Sequence, residues 1–418
     1  MNNCQFKWFL LLLIVLVSNV SAVDKLSLPK SIDLCVGCHG SNGIGLEDEY
    51  PNLAGQQKNY LFKQLNDFRS GARANPSMNA IAKTLKLEDM RELSHYFSSL
   101  KSSPPAIAKK ALTSEILTTS PLILEDTFAD NIFVSLKKAG NMIRFPNQKL
   151  WKGGPNMLYT AISPDGNLTL TTSPSSDSLY AFDARTGNVL KIIKVGKSPK
   201  GVKISPNGLQ AYVSNQGSSN ISVIDLQTLT LMDTISVESG PHNVRFTKNG
   251  DIAYVTLQGG AGIGVINTSI RKMVEIIATS GITGPHNLDL SLNEKILFVR
   301  DFVNNVAVVD LPSKEIIRII KVGKGHGGID VLVDGKLVVT AAIAENFITI
   351  IDTKTFENHN IFVGNGPHGV RASADNRWIY VTLTRDNAIA IVNTKTLKLE
   401  RTIPVGEFPF WIAVNGNP

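Results

Sequence analysis

Cys35, Cys38 and His39 stand in the order Cys-Val-Gly-Cys-His. This is the C-x-x-C-H pattern of covalent haem attachment. Two thiols three positions apart reach the vinyl groups along one porphyrin edge, and the adjacent His39 offers its imidazole to the iron. A closed zinc site would need two more Cys or His ligands at ordinary spacing, and the next histidine is the distant His95. A thioredoxin-like redox pair would not require His39, and no βαβ unit surrounds it. One covalent haem c per chain is therefore expected. A methionine as second axial ligand would raise its reduction potential.

A second set of residues recurs further on. Gly240-Pro241-His242, Gly284-Pro285-His286, Lys324-Gly325-His326 and Gly366-Pro367-His368 repeat one short phrase. Gly154-Pro155-Asn156, Ser198-Pro199-Lys200 and Phe408-Pro409-Phe410 are variants of it. Imidazoles repel one another when protonated, so converging histidines are best tolerated neutral and metal-bound. Imidazole suits copper above all here, with zinc or iron as alternatives. The competing reading is a histidine copied along with its repeat and satisfied locally. Lys200 and Asn156 complete the arc, and Lys200 supplies a cation for a small anionic ligand. His359 falls outside the phrase, in a polar turn, while Arg300-Asp301 and Arg385-Asp386 read as surface pairs at strand tips.

The elements that must position these histidines are strands. From about residue 128 the chain repeats with a period of roughly 41 to 44 residues, as four-stranded propeller blades do. Turns such as Ser205-Pro206-Asn207-Gly208 alternate with runs such as Ala211-Tyr212-Val213-Ser214 and Ile221-Ser222-Val223-Ile224. Six units begin near Gly154, Ser198, Gly240, Gly284, Gly325 and Gly366. The tail from Phe408 to Val414 matches only a first strand, and residues 131–151 match the other three. Joined in one sheet they make a seventh blade and close the ring without an exposed edge. These phrases resemble the YVTN family of β-propellers over residues 128–418. Other propellers with central histidines, such as nitrous oxide reductase and thiocyanate dehydrogenase, are similar in architecture alone.

Around the first motif, Tyr50-Pro51-Asn52-Leu53-Ala54-Gly55, then Gln64-Leu65, Phe68 and Met78, lead to a last helical pattern carrying Leu93, Tyr96, Phe97 and Leu100. Residues 28–101 resemble the small bacterial class I cytochromes c. That resemblance implies a small all-α domain with Met78 as the distal ligand. Met90 reads as core, and His95 as a surface or structural residue.

Lys7 precedes the apolar run from Trp8 to Val17, and Val20-Ser21-Ala22 makes a small-residue cleavage site. The run is too short to span a bilayer, so residues 1–22 read as a signal peptide with no transmembrane anchor left after cleavage. The expected order is a cytochrome c domain over 23–101, a linker over 102–127 with one short helix near 106–117, and an all-β seven-bladed propeller over 128–418. The mature chain keeps only the two haem cysteines, and haem attachment after export points to the periplasm. A net charge of +7 is spread along the chain. It suits a soluble acidic electron-transfer partner, and without a basic run there is no case for nucleic acid. The functional expectation is a metal-dependent oxidoreductase in which His242, His286, His326 and His368 hold a metal that exchanges electrons with a small substrate, and the haem relays them. The alternatives are a metal-binding propeller or a scaffold whose redox activity is haem c alone.

Overall fold

The computed structural model describes residues 28–47, 49–101, 131–260 and 262–417. The expected signal peptide, the linker and its short helix lie outside the described residues. Four helices come first: α1 (Asp33–His39), α2 (Lys58–Ser70), α3 (Pro76–Thr84) and α4 (Leu87–Ser99). The α3 helix starts where Asn75 accepts a hydrogen bond from Met78 N at 2.9 Å, with Pro76 just inside the first turn. Leu61 of α2 and Met90, Leu93, Tyr96 and Phe97 of α4, with Leu85 just after α3, pack against Cys35 and Val36 of α1. Met90 is core, as expected, and His95 is exposed on α4.

The strands, numbered in chain order from β1 (Ile132–Leu136) to β28 (Pro409–Val414), form seven four-stranded antiparallel sheets. Six sheets are simple meanders. In the seventh, β28 pairs with β1, followed by β2 (Asn141–Phe145) and β3 (Lys149–Lys152). Ser135 fastens this closure, accepting from Trp411 N at 3.0 Å and donating to the Leu158 carbonyl. All six residues of β28 are buried. The cytochrome fold and the seven-bladed propeller with joined termini are both as expected.

The innermost strands of the blades line a central channel. They are β4 (Thr160–Ile162), β8 (Pro199–Ile204), β12 (Pro241–Phe246), β16 (Pro285–Leu290), β20 (Ile329–Val331), β24 (Pro367–Ala372) and β28. In β8, β12, β16 and β24 the pairing register slips directly after the leading proline. A bulge re-aims the side chain it carries, and the residue in each bulge is Lys200, His242, His286 or His368. The residue before each proline is left-handed, with φ of 74° at Gly240 and 72° at Gly366, which favours glycine there.

Two departures from the expected register follow. Asn156 takes the left-handed position, with φ 57°, and donates to Ser175 Oγ at 3.2 Å, so it lies outside the arc. Leu158 stands two residues after it, as His242 stands two after Gly240. His326 follows left-handed Gly325 (φ 87°) directly, with no proline between and three residues ahead of β20. Arg300 and Asp301 are not a surface pair but fully buried. Arg300 donates to the carbonyls of Gly323, at 2.8 Å, and Gly325, and so holds the loop that carries His326. Arg385 and Asp386 are exposed, and His359 is exposed on β23 (Asn358–Phe362), a strand where a turn was expected.

Candidate functional site

The α1 helix presents both thiols and the imidazole of the first motif to one cavity of about 380 Å³, which Met78 also lines. His39 donates from Nδ1 to the Pro51 carbonyl at 2.8 Å, which leaves the Nε2 lone pair for a metal. Burial pushes the Cys35 thiol up to about 12 and raises that of Cys38. Cys35, Cys38, His39 and Met78 thus fit a haem c with His/Met ligation.

The floor of the same cavity belongs to the other domain. His242, His286 and His326 line it together with Tyr159, Lys200, Gln258 and Phe302. The cytochrome domain therefore sits over the channel mouth with its motif facing the histidines. Gly37 makes the close approach possible, since a Cβ there would lie 2.5 Å from Gly325 Cα. Lys324 Nζ reaches Asp33 Oδ1 at 2.8 Å, Ser77 donates to Gln258 Oε1 at 3.0 Å, and Lys137 pairs with Glu47. Tyr50 stands between the two sites, its ring edge-on to His39 at 6.2 Å and to His326 at 6.1 Å.

The four histidines converge as the repeat pattern implied, but they are not equivalent. Ring centroids are 4.0 Å apart for His242 and His286, 4.9 Å for His286 and His326, and 5.1 Å for His326 and His368. Ligand atoms of His286, His326 and His368 lie within 4.8 Å of one another. In these three, one ring nitrogen is buried without a hydrogen-bond partner in the described structure: Nε2 of His286, Nδ1 of His326 and Nε2 of His368. The opposite nitrogens are engaged. His368 donates from Nδ1 to the Phe410 carbonyl at 3.0 Å, whereas His286 Nδ1 accepts from the Gln258 amide N–H at 3.1 Å, which places the proton of a neutral His286 on its inward Nε2. His242 differs, donating from Nδ1 to the His286 carbonyl at 3.1 Å while Nε2 faces the Tyr159 hydroxyl at 3.4 Å. Burial first, then Lys200 for His242 and the mutual repulsion of the imidazoles for the other two, hold His242 and His286 well below the usual imidazole value and His368 at about 3. A neutral imidazole can offer a lone pair on whichever nitrogen its proton leaves free, which for His368 is the inward Nε2.

Two features escaped the sequence pattern. Glu47, from the loop after α1, enters the cluster with a side chain 1% exposed. Burial pushes its carboxyl up, but Lys137 and His326 outweigh that and hold it below the usual range, so it is ionised. Lys200 Nζ stands 3.7 Å from Glu49 Oε2, so the cation expected for an anionic ligand already faces a carboxylate. Further down the channel, Lys203, Arg245, Asp289 and Arg371, each three residues past a bulge position, and Asp330, four past His326, form a largely buried charged ring. Its pairs are Arg245–Asp289 at 2.7 Å and Arg371–Asp330 at 2.9 Å.

An all-α domain with a C-x-x-C-H motif, seated on the channel of a seven-bladed propeller, defines a cytochrome–propeller fusion. The cytochrome c family model matches residues 31–101, and through that segment the chain belongs to the cytochrome c family. Cytochrome c-554(548) of Halomonas halodenitrificans is 39% identical over 71 residues, 16% of this chain and 86% of that protein. A thiosulfate dehydrogenase electron acceptor of Stutzerimonas stutzeri is 49% identical over 57 residues, 13% of this chain and 26% of that one. The chain spans only 26% to 37% of such longer relatives. The propeller is similar in fold to a Kuenenia stuttgartiensis hydrazine synthase chain, with TM-score 0.57 and 23% identity over 62% of this chain and 90% of that one. Among the described residues, no helix is long and apolar enough to cross a membrane.

Proposed function

We propose that this chain is an exported oxidoreductase in which His286, His326 and His368 hold a copper ion, with zinc or iron as alternatives, beneath the haem-binding face of the cytochrome domain. The observation that carries this reading is the set of three buried imidazole nitrogens without hydrogen-bond partners, on histidines whose ligand atoms lie within 4.8 Å of one another; to ligate through Nε2, His286 would give up the proton that the Gln258 donation places there. An unpaired buried polar atom costs about 1–3 kcal/mol, and three in one place are what a metal site looks like without its ion. Three protein ligands leave a further coordination position, the arrangement of catalytic rather than structural sites. His286 and His326, two of the three, line the shared cavity, where a small substrate has room.

Bound haem would supply a one-electron redox centre, held by Cys35, Cys38, His39 and Met78 in the cavity that Tyr50 also lines. Tyr50 then sets the spacing between His39 and His326, and both rings are held by buried partners. His242 backs His286 and links it to the Tyr159 hydroxyl. Lys200 and Glu49 line the cavity together, 3.7 Å apart. Relatives that serve thiosulfate dehydrogenases as electron acceptors make a soluble redox protein the class of partner to try, with the periplasm as the compartment.

The test is metal analysis of the full haem-loaded chain after mild reconstitution with cupric or zinc ion, followed by stopped-flow haem absorbance with small inorganic reductants, thiosulfate among them. One ion per chain beyond haem iron, with substrate-dependent haem reduction that vanishes in His368→Ala, is the expected result. Metal without substrate-dependent reduction reduces the reading to a metal-binding propeller. Haem iron alone leaves a cytochrome on a scaffold.

A further inference from the structure

The three inward histidines differ in who holds their outer nitrogen. For His286 and His368 the partner is another propeller residue, Gln258 or the Phe410 carbonyl. For His326 it comes from the cytochrome domain: Glu47 Oε1 stands 3.5 Å from His326 Nε2. That oxygen is buried and makes no hydrogen bond in the described structure, while Oε2 is paired with Lys137 of the propeller. The inward nitrogen of His326 is Nδ1, the reverse of its two neighbours, and it too is without a partner.

We propose that Glu47 completes the propeller's metal centre across the domain boundary: it takes the Nε2 proton of His326 in a hydrogen bond, leaves the lone pair on Nδ1 for a late first-row divalent ion, and so ties full metal affinity to a seated cytochrome domain. The proposal rests on the three-histidine reading given above. A neutral imidazole carries one proton, and the partner of one nitrogen determines which nitrogen is free to ligate. A carboxylate on the outer nitrogen fixes the ring and raises its basicity, and losing such a partner typically costs about 10- to 100-fold in metal affinity. The 3.5 Å separation is long for a hydrogen bond, and ligation at Nδ1 would draw the ring and the carboxylate together. Lys137, itself over the Phe410 ring at 5.3 Å, anchors the carboxylate on its far side. Glu47 is thus a positioning residue, and the two domains share one site rather than abutting two.

The experiment measures affinity for cupric ion, by competition with a chromophoric chelator, in the haem-loaded full chain. Glu47→Ala, Glu47→Gln and Glu275→Ala are compared with the wild type. Glu275 belongs to an exposed pair with Lys314 and controls for loss of a carboxylate. The expected result is one tight ion in the wild type and in Glu275→Ala, a loss of about 10- to 100-fold in Glu47→Ala, and recovery to within a few-fold in Glu47→Gln, which keeps an acceptor oxygen. The cupric EPR spectrum should change in Glu47→Ala and revert in Glu47→Gln, while the haem spectrum stays constant throughout. Wild-type affinity and EPR in Glu47→Ala would overturn the proposal, as would equal losses in Glu47→Ala and Glu47→Gln. Should Glu47→Ala fail to fold, Glu47→Asp withdraws the charged carboxylate by one methylene, and the same weakening is expected. No tight copper in the wild type would instead overturn the three-histidine reading itself.

Discussion

A histidine is a ligand only if the rest of the molecule holds its other nitrogen, and that sets what substitutions at the cluster do. His326→Ala and His368→Ala should each lose the second metal, measured by mass spectrometry of the intact holo-chain. His242→Ala, whose Nε2 already faces Tyr159, should lose less, and exposed His359→Ala should bind as wild type. In the cytochrome domain, Met78→Ala should abolish the weak near-infrared band of an iron–thioether bond. Met90→Ala should keep the band but cost about 2–5 kcal/mol, because that side chain is fully buried. Lys203 carries a pH prediction. Burial first, then Arg245 and Arg371, hold its ammonium well below 10.5. Between that lowered value and 10.5 the unfolded chain binds more protons than the folded one, so this group makes stability rise with pH there. Below the window its penalty is full, and above 10.5 it is gone. Lys203→Met should therefore melt higher at neutral pH and rise less toward pH 10. A variant with a lower neutral melting temperature and the same alkaline slope would contradict this.

Among the elements, β28 does the most with the fewest residues. Its Phe410, Trp411, Ile412 and Val414 fill the cores on both sides of the closing blade, and its backbone supplies the inner edge of the sheet that begins at β1. A chain ending before Phe408 exposes that edge and two apolar clusters together. It should aggregate and lose cooperative melting, checked by light scattering during a thermal ramp. The same strand provides the carbonyl that orients His368, so surviving soluble material should bind copper weakly. The bulges after Pro199, Pro241, Pro285 and Pro367 act similarly, because without the slip the bulged residue would follow the ordinary pleat.

At the scale of the whole molecule, two small domains enclose one compartment, and glycines at the seam allow it. Gly37→Val leaves the attachment motif intact and should still take up haem, yet its side chain would overlap the Gly325 backbone. The expected outcome is a larger radius of gyration in small-angle scattering, together with metal affinity falling toward that of Glu47→Ala. An unchanged radius and unchanged affinity would mean that the seam is not what holds the site.

Cys35, Cys38 and His39 announce haem because the attachment motif is contiguous in sequence, whereas Met78 as distal ligand is what the resemblance implies, and the family match upholds that resemblance over residues 31–101. The seven blades were legible because each repeat buries itself with the same alternation of strand and turn, and even the closing strand left its mark at the chain's end. The histidine arc was visible too, since repetition copies position. What no linear pattern carries is the direction a ring nitrogen faces. His368 turns a lone pair inward because the Phe410 carbonyl takes the proton of its outer nitrogen, the Gln258 amide donates to the outer nitrogen of His286, and Glu47, about 280 residues from His326 in the chain, stands beside the outer nitrogen of His326. Asn156 looked like a member of the arc because Gly154-Pro155 copies the local phrase, whereas the left-handed backbone that starts the strand falls two residues later. Arg300 and Asp301 looked like a surface pair because charge alone says exposed, and only packing reveals a guanidinium spent on the carbonyls of a buried loop. Contacts made by chain proximity can be read in order along the sequence. Those made across a domain boundary exist only once both surfaces have folded and met.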